Sequence, residues 1–117
     1  MTAYIKNKRG RVLSIGKNSY IKTHPKMVKL GRRLGYLHHE KRFIHAEIDA
    51  LNKCVNLEKA YSIEVYIYSK GSNRYTTSMP CPICTMALKE SGIRFVDFQD
   101  QYGNRVIKPI AELHATE

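Results

Sequence analysis

Short apolar runs with β-branched and aromatic residues, bounded by turn residues, recur along the chain and predict β-strands. The predicted strands cover residues 2–6, 11–15, 63–68, 93–98 and 105–110. Turn residues separate the first pair of strands at Asn7-Lys8-Arg9-Gly10 and the last pair at Tyr102-Gly103-Asn104. A parallel crossover needs about a dozen connecting residues, more than the last pair has between its strands, so these two strands are expected to form a C-terminal hairpin.

Two segments carry the period of an amphipathic helix. An apolar residue returns every three or four positions at Ile44, Ile48, Leu51 and Val55. This spacing predicts a helix over residues 44–57 with one face in the core. A second helix is predicted over residues 82–91, with Pro82 in its first turn and Gly92 ending it. Between the first two strands and the first helix, residues 17–43 form a long basic connection, with a short helix near residues 26–34.

Alternation of strands and helices indicates one α/β domain over residues 1–117. The composition, 43% hydrophobic and 26% charged, is typical of a globular domain of this size. No apolar stretch approaches the length of about 18 residues that a membrane span needs, and the N-terminus lacks the apolar core of a signal peptide. The chain has three cysteines, a number that fits a reducing compartment once two of them bind metal, and we therefore expect a cytoplasmic protein.

Two motifs carry candidate metal chemistry, His45-Ala46-Glu47 and Pro80-Cys81-Pro82-Ile83-Cys84. One imidazole and two thiolates make up the three protein ligands of a catalytic zinc site, which keeps its fourth position for water. Zinc lowers the pKa of such a water from about 15.7 to about 7, so hydroxide exists at neutral pH. A Pro-Cys-Pro run typically begins a helix, whose first backbone N–H groups stabilise thiolates.

Glu47 is predicted to handle protons beside the metal rather than to bind it. On a regular helix His45 and Glu47 point about 200° apart, unless His45 lies at the mouth of the helix where the backbone bends. The combined pattern matches the H-x-E and P-C-x-x-C motifs of zinc deaminases. The alternatives for Cys81 and Cys84 alone are a redox pair or half of a structural zinc site. The remaining cysteine, Cys54, lies about 10 Å further along the predicted helix, too far to join, and is expected to be a small buried apolar residue.

The chain resembles the cytidine and deoxycytidylate deaminase superfamily over about residues 3–98. The resemblance rests on the two motifs above, on residues 48–51 that follow the first, and on Gly16-Lys17-Asn18. It implies a three-layer α/β/α sandwich with a mixed sheet of about five strands, and a metal at the N-terminal ends of two adjacent helices. It also implies that Glu47 carries protons from the water to the ring nitrogen and then to the leaving amine. Asn18 would hydrogen-bond the sugar, and the backbone N–H of Ala46 would bind a pyrimidine carbonyl.

Two features separate this chain from parts of the superfamily. The predicted C-terminal hairpin is similar to that of free cytidine deaminases, whereas the Pro-Cys-Pro-x-Cys run resembles that of the deoxycytidylate enzymes. Members usually carry a helix before the first hairpin, and here the first strand begins at residue 2. One face of the sheet is therefore expected to be covered by a partner subunit, in a homo-oligomer.

Charge is distributed unevenly along the chain. Residues 1–44 hold twelve Lys and Arg against one Glu, a net charge of +11, whereas the rest of the chain carries −1. Positive potential beside Asn18 favours a phosphorylated substrate over an uncharged nucleoside. The alternative is a solvated basic surface that only keeps the protein soluble. The candidate phosphate or nucleic-acid contacts are Lys22, His24, Lys26, Arg32 and Arg33.

Other residues in the basic segment suggest two further interpretations. Aromatic residues among the cations, at Tyr20, Tyr36 and Phe43, are typical both of a single-stranded nucleic-acid channel and of simple packing anchors. His38 and His39 are candidates for a second metal, although adjacent residues on regular structure point apart.

Three functions follow from these patterns. The first is a zinc-dependent hydrolase that deaminates cytosine in a small nucleotide or nucleoside of the dCMP or cytidine type. The second is a deaminase acting on cytosine or adenine within single-stranded DNA or RNA. The third is a non-catalytic, zinc-stabilised binding module, which Glu47 argues against because a structural site has no use for that carboxylate. No membrane partner is expected.

Overall fold

In the computed structural model, which describes residues 1–18, 45–67 and 78–113, a single mixed sheet organises the chain. Its strands are β1 (Thr2–Lys6), β2 (Val12–Lys17), β3 (Ser62–Tyr66), β4 (Phe95–Gln99) and β5 (Arg105–Pro109). They lie in the order β2-β1-β3-β4-β5. The pair β3 and β4 is parallel, and the other three neighbouring pairs are antiparallel. The predicted C-terminal hairpin is confirmed, because β4 and β5 pair directly.

Two α-helices pack on the same face of this sheet. They are α1 (Ala46–Lys53) and α2 (Pro82–Ser91), and short 3₁₀ helices cover Leu57–Lys59 and Ile110–Glu112. Alternate strand residues, such as Ile5, Ile63 and Val96, point into the core that these helices close. The α/β class and the five-stranded mixed sheet are confirmed. In the part of the chain that the structure describes, no helix lies on the opposite face, where a three-layer sandwich has its second helical layer.

The first helix is shorter than its apolar spacing predicts. It ends at Lys53, because Cys54 takes an extended conformation (φ −77°, ψ 112°) and the chain turns toward the 3₁₀ helix. Leu51 is buried, whereas Val55 is 89% exposed, so its assignment to the core face is wrong. Cys54 is half-buried at the helix end rather than fully buried along the helix. Val55 is β-branched, which lowers its preference for a helix, and the next residue, Asn56, favours turns. Together they explain why the helix does not continue.

The other boundaries differ from prediction by at most two residues, and β1 and α2 match it at both ends. β2 extends to Lys17 because it stays paired with β1 as far as Thr2. Gly92 ends α2 as predicted, with the left-handed φ of 86° that favours glycine. The predicted short helix near residues 26–34 lies outside the described residues, as does Ile44. No helix among the described residues is long and apolar enough to cross a membrane.

The sheet face opposite the helices carries a network of charged and aromatic side chains. Lys6 forms an ion pair with Glu64, whose carboxylate also accepts a hydrogen bond from the Tyr66 hydroxyl at 2.8 Å. Burial acts to raise the pKa of Glu64, but the hydrogen bonds from Lys6 and Tyr66 outweigh it, and the pKa is lowered. Arg105 stacks on the Tyr66 ring, 4.2 Å from its centroid, and forms an ion pair with Asp97 at 2.7 Å. The network connects β1, β3, β4 and β5.

Arg105 is expected to be the residue of this network that contributes most to stability. Its guanidinium donates to the backbone carbonyls of Val65 at 3.0 Å and Asp97 at 3.1 Å. We expect Arg105→Ala to lower the free energy of unfolding by about 1–3 kcal/mol, mainly through these bonds and the stacking on Tyr66, since solvent screens the half-exposed ion pair. Urea titration would measure the change. Lys108→Ala, at an exposed position of the same strand, is the control; an equal loss there would contradict the prediction.

Candidate metal centre

His45 lies at the mouth of α1, where the backbone bends. It is the N-cap residue and is extended (φ −87°, ψ 156°), so the helix begins only at Ala46. Of the two geometries that the sequence allows for His45 and Glu47, this is the bent one. The side chains are therefore not forced 200° apart, and both contribute to the same site. Glu47 lies in the first turn of α1 and is 2% exposed.

Cys81 and Cys84 lie at the N-terminus of α2. Cys81 is the extended N-cap residue (φ −68°, ψ 168°) and Pro82 opens the helix, as the Pro-Cys-Pro run predicts. The Cys81 carbonyl accepts the N–H of Thr85 at 2.8 Å, which forms the first helical turn. That turn places Cys84, which is fully buried, on the same side as Cys81. A helix N-terminus provides the partial positive charge that stabilises thiolates.

Ser78 anchors the segment that leads into this second motif. Its N–H donates to the Gln99 carbonyl at 2.8 Å, and its hydroxyl donates to the Val65 carbonyl at 3.0 Å. The same hydroxyl oxygen accepts the N–H of Gln99 at 2.7 Å. Ser78 is fully buried and thus attaches the segment before Cys81 to the ends of β3 and β4. The sequence gives no sign of this role for Ser78, since a single serine in a polar stretch carries no periodic signal.

The three predicted ligands lie together. His45 Nδ1 is 3.5 Å from Cys81 Sγ and 3.3 Å from Cys84 Sγ, and the three ligand atoms all lie within 4.8 Å of one another. Zinc–sulfur bonds of about 2.3 Å and zinc–nitrogen bonds of about 2.0 Å at tetrahedral angles place nitrogen and sulfur about 3.5 Å apart. The donor atoms and their spacing therefore fit zinc. Among the described residues, no other group of three His, Cys, Asp or Glu side chains is placed to hold a metal ion.

The two thiols are coupled through a hydrogen bond. Donation from the Cys84 thiol, with a contribution from His45, lowers the pKa of Cys81 to about 4 despite burial. The same bond, together with burial, raises the pKa of Cys84. Cys81 therefore favours the thiolate, whereas the buried Cys84 keeps its proton, and both sulfur atoms lie beside the His45 imidazole. A divalent cation is the group that takes the place of such a proton when both thiolates bind it.

Glu47 lies beside these ligands and is not itself one of the three ligand residues. Burial raises its pKa, and the nearby Cys81 raises it further. One oxygen, Oε1, is buried and has no hydrogen-bond partner among the described residues. Such an atom is costly unless a water or a substrate group meets it. The carboxylate is thus available to exchange a proton with a molecule bound at the metal position.

The predicted substrate contacts Asn18 and Ala46 lie on the elements that frame this centre. Ala46 is fully buried, and its N–H is the first of α1, one of the four that a helix leaves without an intrahelical acceptor. Asn18 directly follows β2. Its Oδ1 accepts a hydrogen bond from the amino group of Met1 at 2.8 Å, and its N–H donates to the Met1 carbonyl at 3.4 Å.

The proposed phosphate contacts in the basic segment cannot be placed. Lys22, His24, Lys26, Arg32 and Arg33 lie outside the described residues, as do His38 and His39. The same holds for the aromatic residues Tyr20, Tyr36 and Phe43. These assignments stay predictions from the sequence.

Fold and ligand set together define a zinc-binding α/β domain with the donor set of a catalytic site. The model of the cytidine and deoxycytidylate deaminase zinc-binding region matches residues 1–99 of the chain. The chain therefore belongs to this family, which confirms the resemblance inferred from the motifs. A comparison with curated proteins found no match.

Proposed function

We propose that this protein is a zinc-dependent hydrolase that converts cytosine to uracil in a small nucleotide or nucleoside, with release of ammonia. The observation that carries the proposal is the buried Glu47 carboxylate beside His45, Cys81 and Cys84. A purely structural zinc site requires no buried carboxylate with an oxygen that lacks a partner. Proton transfer next to a metal gives such a carboxylate a role.

Each described residue of the centre has a role in this reaction. His45, Cys81 and Cys84 would hold zinc, which supplies a water of lowered pKa when bound. Glu47 accepts the proton of the attacking water and gives it to N3 of the ring. The water oxygen adds at C4, and Glu47 then passes the second proton, from the new C4 hydroxyl, to the departing amine, so that the C4–N bond breaks and the C4 carbonyl forms. In this proposal the first N–H of α1, at Ala46, donates to the pyrimidine carbonyl, and Asn18 binds the sugar.

The charge distribution supports a phosphorylated substrate such as deoxycytidylate. Residues 1–44 carry a net charge of +11, and Asn18 lies within this stretch of the sequence. A substrate with one or more phosphates gains from this potential during encounter and in the complex. A nucleoside gains little, because it is uncharged.

A substrate panel tests the proposal. Cytidine, deoxycytidine, their monophosphates and triphosphates, and a short cytosine-containing single strand would each be incubated with the zinc-loaded protein. Formation of the uracil product would be measured. We expect the monophosphates to react with the largest kcat/KM and the strand to stay unchanged. Absence of uracil from every member of the panel would overturn the proposal.

Action on a single strand is the second candidate, favoured by the same basic segment and its aromatic residues. In that case the oligonucleotide alone would react. Its affinity would also fall with salt, with a log–log slope of about −0.7 per phosphate contacted. A mononucleotide contacts few phosphates and would show a shallow slope. Salt dependence and product formation therefore separate the two functions in one series of measurements.

A further inference from the structure

β2 and α1 pack with their backbones in direct contact. A Cβ atom on Gly16 would lie 2.2 Å from the Ala46 carbonyl oxygen and 2.3 Å from the Ala50 nitrogen, so only glycine fits there. Two residues earlier, the Ser14 hydroxyl donates to the Ala50 carbonyl at 2.7 Å. Residues later in β2 therefore pack against residues earlier in α1. The end of the strand lies near the first turn of the helix, which begins at Ala46.

Asp49 connects this end of the strand to the helix. Its Oδ2 atom accepts the backbone N–H of Lys17, the last residue of β2, at 2.9 Å. The same oxygen accepts a hydrogen bond from the Lys53 ammonium group at 2.8 Å, one helical turn further on. β2 is an edge strand of the sheet, and an N–H that does not face β1 needs an acceptor from elsewhere. Bonds with an ionised acceptor are roughly twice as strong as neutral ones.

We propose that Asp49 is a positioning residue for substrate, acting through Asn18. The proposal rests on the function proposed above, in which Asn18 binds the sugar. Lys17 and Asn18 are adjacent, so fixing the Lys17 amide fixes the start of the Asn18 backbone. Met1 holds Asn18 from the other side, through the two hydrogen bonds described above. Asp49 thereby sets the distance between the sugar contact and the helix that carries His45 and Glu47.

The chemical groups themselves do not depend on the Asp49 side chain. The N–H of Asp49 donates to the His45 carbonyl at 3.0 Å as part of the helix, and this backbone bond survives a side-chain substitution. Loss of the carboxylate should therefore weaken substrate binding and leave zinc and proton transfer in place. We expect Asp49→Ala to raise KM by about tenfold or more with kcat changed less than about threefold.

Two matched controls separate positioning from simple loss of packing. Ser14→Ala removes a different hydrogen bond between β2 and α1, away from Asn18. Lys53→Gln removes the ion pair with Asp49 but keeps the acceptor for Lys17. Both variants should keep the wild-type KM, even where the thermal midpoint falls. A rise in KM in Ser14→Ala equal to that in Asp49→Ala would overturn the proposal.

A double-mutant cycle with Asn18→Ala is the decisive measurement. If Asp49 acts through Asn18, the double variant has the KM of Asn18→Ala alone. Additive increases in KM would overturn the proposal. Asp49→Asn keeps a neutral acceptor and should give a KM between those of wild type and Asp49→Ala; it serves in the cycle if the alanine variant does not fold. Normal turnover by wild type with unchanged KM in both Asp49 variants overturns this proposal alone. Absence of wild-type turnover on the whole panel overturns the proposed function and this proposal with it.

Discussion

Replacement of Glu47 by Gln should leave one zinc bound per chain and reduce kcat by about 10²–10⁴-fold. The amide has the shape of the carboxylate but cannot accept a proton and pass it on. Zinc should stay because the ligands are His45, Cys81 and Cys84, and this substitution leaves all three side chains in place. Stability should not fall, since burial raises the pKa of Glu47 and the neutral amide avoids the cost of burying a charge.

The matched control for this variant is Glu58→Gln. Glu58 is an exposed acidic residue of the 3₁₀ helix Leu57–Lys59, outside the centre. It should keep wild-type turnover and zinc content. Zinc content measured by metal analysis, with uracil formation on the same preparations, distinguishes loss of chemistry from loss of metal. Retained turnover in Glu47→Gln would refute the proton-transfer role.

Local sequence patterns predict much of the fold, and the errors in that prediction have local causes. Runs of β-branched and aromatic residues between turns predict the strands well because such residues pack in the core that the sheet shares. The end of α1 is missed because spacing alone counts Val55 as a core position. The turn at Cys54 and Asn56 is a competing local preference that hydrophobic periodicity does not measure.

Some residues of the candidate centre can be predicted from the sequence more directly than others. Ligand type and short spacing identify Cys81 and Cys84, since two cysteines separated by two residues reach one ion in almost any helix start. The partnership with His45 joins motifs far apart in the chain, and the sequence supports it only through the combined pattern. Ser78 and Asp49 carry no such pattern, because their roles come from backbone groups of distant strands that the fold brings to them.

Loss of one ligand should remove the metal and with it part of the stability. Cys84 is fully buried and lies 3.3 Å from His45 Nδ1, so Cys84→Ala leaves two ligands and a small cavity. We expect zinc to fall below about one tenth of an equivalent per chain after dialysis, because tight binding of zinc requires all three ligands. Turnover should fall to background.

The accompanying change in stability is set by mass action. A ligand that binds only the folded chain stabilises it by about 4 kcal/mol when its free concentration is about 1,000 times its Kd. Wild type should therefore unfold at lower urea after treatment with a chelator, whereas Cys84→Ala should not respond to the chelator. Cys54→Ala is the matched control, since Cys54 is half-buried at the far end of α1 and away from the three ligands. It should keep zinc, turnover and the chelator response. Full zinc in Cys84→Ala, or loss of zinc in Cys54→Ala, would show that the ligand set is different from the one the geometry indicates.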